Sequence, residues 1–223
     1  MKIVVFAPHP DDELVGCGGS LLKWKEEGHE IHLIYVSDGR AAYTFERKMG
    51  RLIETEATQI SEDDLAGIRM KEIDEVINFL GFKKSYIHKI KLPDQRVKEF
   101  IDAGIEKVKD IIKDADRLVL PARNTIHEDH KATYEIATRA AKDLNLNAEF
   151  YVYAIYVFLK APKEKKIKVN VGNYNTKAYE ALLKYESQKY LSMVKDSYDL
   201  VKQRKQEKFG VFRLVEIGNY KAF

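Results

Sequence analysis

The chain has 223 residues, 45% hydrophobic and 33% charged, which excludes a disordered or fibrous polymer and allows one large core. Its 38 Lys and Arg against 35 Asp and Glu leave a formal charge of +3, so no strong field marks nucleic acid or a membrane surface as a partner. A single cysteine, Cys17, excludes an internal disulfide framework and a Cys-rich zinc finger; any metal must be held by His and carboxylates, and a cytoplasmic setting fits best. No apolar run has the length of a signal peptide core or a membrane span.

Residues 3–7 are a β-branched and aromatic run, the pattern of a strand buried on both faces. A polar loop follows, then a predicted helix over 17–27 stopped by Gly28, and a second strand over 31–36 closed by the turn residues Ser37, Asp38 and Gly39. Met70, Ile73, Val76, Ile77 and Leu80 recur at helical spacing and predict a helix over 69–80 ended by Gly81. Next come a strand over 86–92, a helix over 97–112, a strand over 117–120 (to 121 with its closing proline), a helix over 131–144 and a strand over 150–157. This alternation predicts an α/β, Rossmann-like, mostly parallel sheet with helices on both faces and a ligand site at the carboxyl ends of the strands. The tail reads as a basic loop over 163–168, helix over 176–205 and a closing strand over 208–216. No composition break or repeat divides the chain, so a single domain over 1–223 is expected.

His9-Pro10-Asp11-Asp12-Glu13 follows the first strand directly, at the edge where the fold rule puts a site. Three consecutive carboxylates beside a histidine repel one another unless a cation offsets them, and His with Asp is an ordinary Zn²⁺ shell. Taken alone, Asp11 and Asp12 could equally cap an acidic helix start. A second cluster, His127-Glu128-Asp129-His130, falls just past the fourth strand, hence at the same edge. Neighbouring strands lie ~4.8 Å apart, so a histidine from each loop can reach one ion. The remaining histidines, His29, His32 and His88, read as structural. Catalytic zinc takes three protein ligands and a water. His9 and Asp12 suit ligands, and Asp11 can face the water as general base. Of His127 and His130, one remains to donate as a cation to an oxyanion beside Asp129; spacing does not say which.

Ala7-Pro8-His9-Pro10-Asp11-Asp12-Glu13 and His127-Glu128-Asp129-His130 resemble the two motifs of the PIG-L/LmbE-like zinc N-deacetylases, A-H-P-D-D-E and H-x-D-H, with Pro8 one residue more than the usual pattern. Arg69-Met70-Lys71-Glu72 leading to Leu80-Gly81, Leu92-Pro93-Asp94, and Lys177 through Ser187-Gln188 resemble that family's accessory segments in order. The resemblance implies His9, Asp12 and His130 as zinc ligands and Asp11 as general base. It further implies His127 as the oxyanion-stabilising acid, Asp129 as the carboxylate that tunes it, and Arg69 and Asp94 as substrate contacts. The implied reaction is removal of an N-acetyl group from an N-acetylglucosamine-containing small molecule or sugar conjugate by metal-activated water. The implied partner is thus a small-molecule amino-sugar substrate, with no nucleic acid and no membrane; whether the chain forms a homo-oligomer is left open. Two rival classes share part of this pattern. A receiver-like domain also places paired acids after its first strand, but needs no second histidine cluster and fewer residues. A non-catalytic nucleotide- or sugar-binding module lacks support, because Gly16-Cys17-Gly18-Gly19 does not have G-x-G-x-x-G spacing.

Overall fold

In the computed structural model, which describes residues 1–52 and 55–217, the first apolar run forms β1 (Lys2–Ala7), an interior strand of the sheet. It is followed by α1 (Asp12–Glu26), β2 (Glu30–Ser37), α2 (Ala42–Lys48), α3 (Thr55–Thr58), α4 (Glu62–Leu80), β3 (Ile87–Leu92), α5 (Ile101–Ile112) and β4 (Arg117–Pro121). The second half supplies α6 (Glu128–Asp143), β5 (Glu149–Tyr153), β6 (Lys166–Asn170), α7 (Tyr174–Leu182), α8 (Ser192–Gln203), β7 (Gln206–Phe212) and α9 (Leu214–Ile217).

The strands lie in the order β3-β2-β1-β4-β5-β7-β6; β1 through β5 pair in parallel, and β7 runs antiparallel between β5 and β6. Winding proceeds outward from β1 through β2 and β3 on one side and through β4 and β5 on the other. A crevice therefore opens between the carboxyl ends of β1 and β4, where open α/β sheets bind ligands.

Alternation along β1 divides the core. Ile3, Val5 and Ala7 join Leu33, Ile73 and Leu182 on one face, while Val4 and Phe6 join Ile34, Leu118 and Ile136 on the other. Both faces are covered by helices, as the sequence predicts. The extra Pro8 continues the β1–β2 ladder: its carbonyl accepts from Ser37 N at 2.9 Å.

Several boundaries differ from the sequence reading. Helix α4 starts seven residues before Arg69, because the Ser61 side chain accepts from Asp64 N at 3.1 Å and the acidic first turn complements the helix dipole. The region 176–205 is interrupted rather than continuous. Ser187 N–H is taken by the Glu72 carboxylate of α4 at 2.7 Å, out of the helical ladder, and a 3-10 turn over Glu186–Tyr190 separates α7 from α8. The basic loop is in part strand β6, whose Lys166, Lys168 and Asn170 face out while Ile167 and Val169 are half-buried; lysines on an edge strand discourage pairing with other chains. Strand β5 ends at Tyr153 rather than at 157, and β7 yields to α9 before 216. Among the described residues no helix is long and apolar enough to cross a membrane.

Candidate active site

The loop after β1 separates its three acids into three environments. Asp11 adopts a left-handed backbone conformation (φ 102°) at the N-cap of α1, with its carbonyl accepting from Leu14 N and Val15 N at 2.9 and 3.0 Å. Such a conformation is costly for a non-glycine residue and persists only where its surroundings enforce it. Glu13 supplies part of that enforcement. Its buried carboxylate accepts from Asp11 N at 3.2 Å through one oxygen, and from Tyr35 and Tyr185 hydroxyls at 2.9 and 3.2 Å through the other. Arg69 completes it by donating from Nη2 to the Pro10 carbonyl.

Asp12 turns the other way, toward the histidines: its Oδ2 lies 2.9 Å from His9 Nδ1 and 3.2 Å from His130 Nε2. Asp11 instead accepts from the Tyr198 hydroxyl at 2.8 Å and lies 3.4 Å from Arg69 Nη2. Thus the crowding evident in the sequence is relieved by partners from β2, α4, α6 and α8, and by the end of α7.

His127 caps α6, and its Nδ1 accepts from Asp129 N at 3.3 Å. With Nδ1 accepting, the ring proton sits on Nε2. The Asp129 carboxylate is fully buried and accepts from Gln95 N at 2.5 Å and Val97 N at 3.2 Å, with His9 Nε2 at 3.4 Å. Asp94 Oδ1 lies 3.1 Å from the same His9 nitrogen. The ring centroids of His9, His127 and His130 are 4.6 to 5.3 Å apart.

These charges give the pocket a clear sign. Burial alone would depress the His9 pKa, but Asp94, with Asp12 and Asp129 bonded to it, raises it well above the ordinary value. Burial likewise disfavours ionised Asp12, yet His130 and His9 hold its pKa well below normal. Asp94 is also lowered: His9 outweighs the effect of its burial. The pocket around His9 therefore favours positive charge. Burial pushes Asp11 up to about 6 against the opposing pull of Arg69, and Glu13 up to about 8. His127 falls to about 4 through burial and the neighbouring His9 and His130. This departs from the expectation that Asp129 charges His127: the Asp129 carboxylate is engaged by Gln95, Val97 and His9, and burial, the largest cause, together with His9 and His130 outweighs it.

All eight residues singled out in the sequence line one cleft of about 590 Å³: His9, Asp11, Asp12, Arg69, Asp94, His127, Asp129 and His130. Ligand atoms of His9, Asp12 and His130 lie within 4.8 Å of one another, as do those of His9, His127 and Asp129. Two imidazoles with one carboxylate, buried in a cation-favouring pocket, are a donor set that fits a divalent metal. Sequence reasoning missed Tyr198, which is 187 residues from the carboxylate it bonds, and Gln95, which acts through its backbone.

Residues 4–141, more than half of the chain, match the family model described as PIG-L, GlcNAc-PI de-N-acetylase. The chain belongs to the PIG-L family. Among solved PIG-L-like folds it is similar to N,N'-diacetylchitobiose deacetylase from Pyrococcus horikoshii (TM-score 0.73, 20% identity, 96% of this chain and 84% of that one). It is also similar to a deacetylase of the teicoplanin biosynthetic pathway (TM-score 0.72, 19% identity, 96% and 98%). The fold is shared, more distantly, with a 4-carboxy-2-hydroxymuconate hydratase from Pseudomonas putida (TM-score 0.64, 12% identity, 96% and 96%), so fold alone does not select the reaction. A Bacteroides thetaiotaomicron protein described as glucosamine-6-phosphate deaminase-like is 42% identical over 41 residues, which is 18% of this chain and 6% of that relative.

Proposed function

We propose that this PIG-L member is a zinc-dependent N-deacetylase that hydrolyses the acetamide of an N-acetylglucosamine-containing small molecule or sugar conjugate, giving acetate and the free amine. The observation that carries this reading is the pairing, in one cleft, of the His9, Asp12 and His130 donor set with Asp11, a carboxylate turned away from that set. Zn²⁺ held by the set would supply Lewis acidity and lower the pKa of a bound water.

The chain's own groups do the rest. Asp11, ionised at neutral pH with a pKa of about 6, takes the proton of the attacking water. Tyr198 and Arg69 fix the direction in which it does so. His127 donates from Nε2–H, as a neutral imidazole, to the carbonyl oxygen as negative charge builds there. Asp129 acts at one remove, orienting His9 and holding the turn at Gln95 and Val97. Arg69 and Asp94 border the cleft and contact the sugar. The working unit is one domain over 1–223 in a cytoplasmic setting, and family membership displaces the receiver-like and passive binding alternatives.

An amine-release assay over a panel of N-acetylglucosamine derivatives, run with zinc-loaded protein, tests the reading. Stoichiometric acetate and amine from at least one derivative are expected; zinc-loaded protein inert toward the whole panel would overturn it.

A further inference from the structure

We propose that Tyr156 is a further substrate-contacting catalytic residue, whose hydroxyl leaves Ser197 to donate a hydrogen bond to the carbonyl oxygen of the reacting acetamide. The inference rests on the deacetylase reading and adds to it a residue from the connection between β5 and β6, outside every sequence motif.

Three observations carry it. First, Tyr156 has φ 59°, a left-handed backbone that is a genuine outlier for a bulky side chain. Strain of this kind is concentrated where a side chain must be presented to a ligand. It falls just where β5 ends at Tyr153, short of the sequence expectation, so the chain leaves the sheet in time to place this ring in the cleft.

Second, the side chain is divided. The residue is 61% exposed, yet its hydroxyl reaches into the protein to Ser197 on α8, one residue from the Tyr198 that bonds Asp11. The phenol and Asp11 line the same cleft, and the phenol feels the Asp11 charge. Burial and the Asp11 charge raise its pKa, so it stays protonated and acts as a donor rather than as a second base.

Third, its resting partner is weak. The Tyr156–Ser197 contact is 3.4 Å, at the edge of hydrogen-bond range, and its acceptor is a neutral hydroxyl, which itself donates to the Val194 carbonyl at 2.6 Å. Little is lost when the phenol turns to the substrate oxygen once that oxygen has become anionic, a far stronger acceptor than a hydroxyl. A donor used only then raises kcat more than it tightens substrate binding.

The test compares Tyr156→Phe with Ser197→Ala in zinc-loaded protein, using a derivative that the parent deacetylates. Tyr156→Phe keeps the ring and removes the hydroxyl. Its kcat should fall about 10²-fold, the low end for one lost oxyanion donor, with KM within about threefold of the parent. Ser197→Ala, which removes only the resting partner, should keep parental kcat. Parental kcat in Tyr156→Phe would overturn the role, as would equal damage from Ser197→Ala, because the contact would then be structural. A parent that releases no amine from any derivative overturns the deacetylase reading, and this role with it.

Discussion

Two histidine clusters occupy opposite ends of the parallel strands, and although burial lowers both, His9 in one and His88 in the other shift in opposite directions. Beyond the carboxyl ends of β1 and β4, His9 meets Asp12, Asp94 and Asp129, all nearly or fully buried, and its pKa rises. Near the amino ends of β2 and β3, His32 Nδ1 and His88 Nε2 pair at 3.0 Å against Tyr86, with the exposed Glu30 as carboxylate. There burial and the neighbouring His32 and Lys2 depress the His88 pKa to about 4. Buried carboxylates at one end create a place for a cation; at the other, two imidazoles hydrogen-bond to each other and His88 favours its neutral form. The number of histidines does not separate a site from a structural cluster. Topology does, by choosing which strand ends bring loops together.

Among substitutions at the two ends, those at Asp11 should cost most. Asp11→Asn should retain zinc, because the ligand set is untouched, and lose about 10²–10⁴-fold in kcat, the usual range for a lost general base. Full turnover at equal zinc occupancy would remove Asp11 from the mechanism.

His127→Ala is expected to cost about 10²–10³-fold in kcat, also with zinc retained. With His127 a neutral donor, as proposed, the alkaline limb of the rate profile should stay in place. Zinc loss in this variant would instead assign the metal to the His9, His127 and Asp129 set.

The smallest effect belongs to the other cluster. With a native pKa near 4 against 6.5 for a free imidazole, His88 takes up a proton more readily in the unfolded chain. Stability should therefore fall as pH drops through that window. His88→Asn should flatten part of this fall, seen as a smaller loss of the urea midpoint between pH 6.5 and 4, while zinc content and activity remain parental. An unchanged slope would mean that the pair does not titrate as described.

What was legible in the sequence follows from the same geometry. The first motif and the second are compact, with His9 and Asp12 three residues apart and His127 and His130 likewise, and each follows a strand that its apolar run identifies. The eight expected residues were found in one cleft because parallel strands deliver their following loops to one edge. Contacts between distant segments left no comparable trace. Tyr198 to Asp11 and Ser187 to Glu72 depend on how α7 and α8 fold back over α4, and the break between those helices is caused by Glu72, not by a local Pro or Gly. Strand β6 is legible too: Lys166-Ile167-Lys168-Val169 alternates with a period of two, although its charge favours a loop.

The most direct test of the account is elemental analysis of zinc in three purified proteins: the parent, His130→Ala and His88→Asn. About one zinc per chain is expected in the parent and in His88→Asn, and almost none in His130→Ala, since losing one of the three proposed ligands opens the site. Full zinc in His130→Ala, or loss of zinc from His88→Asn, would contradict it.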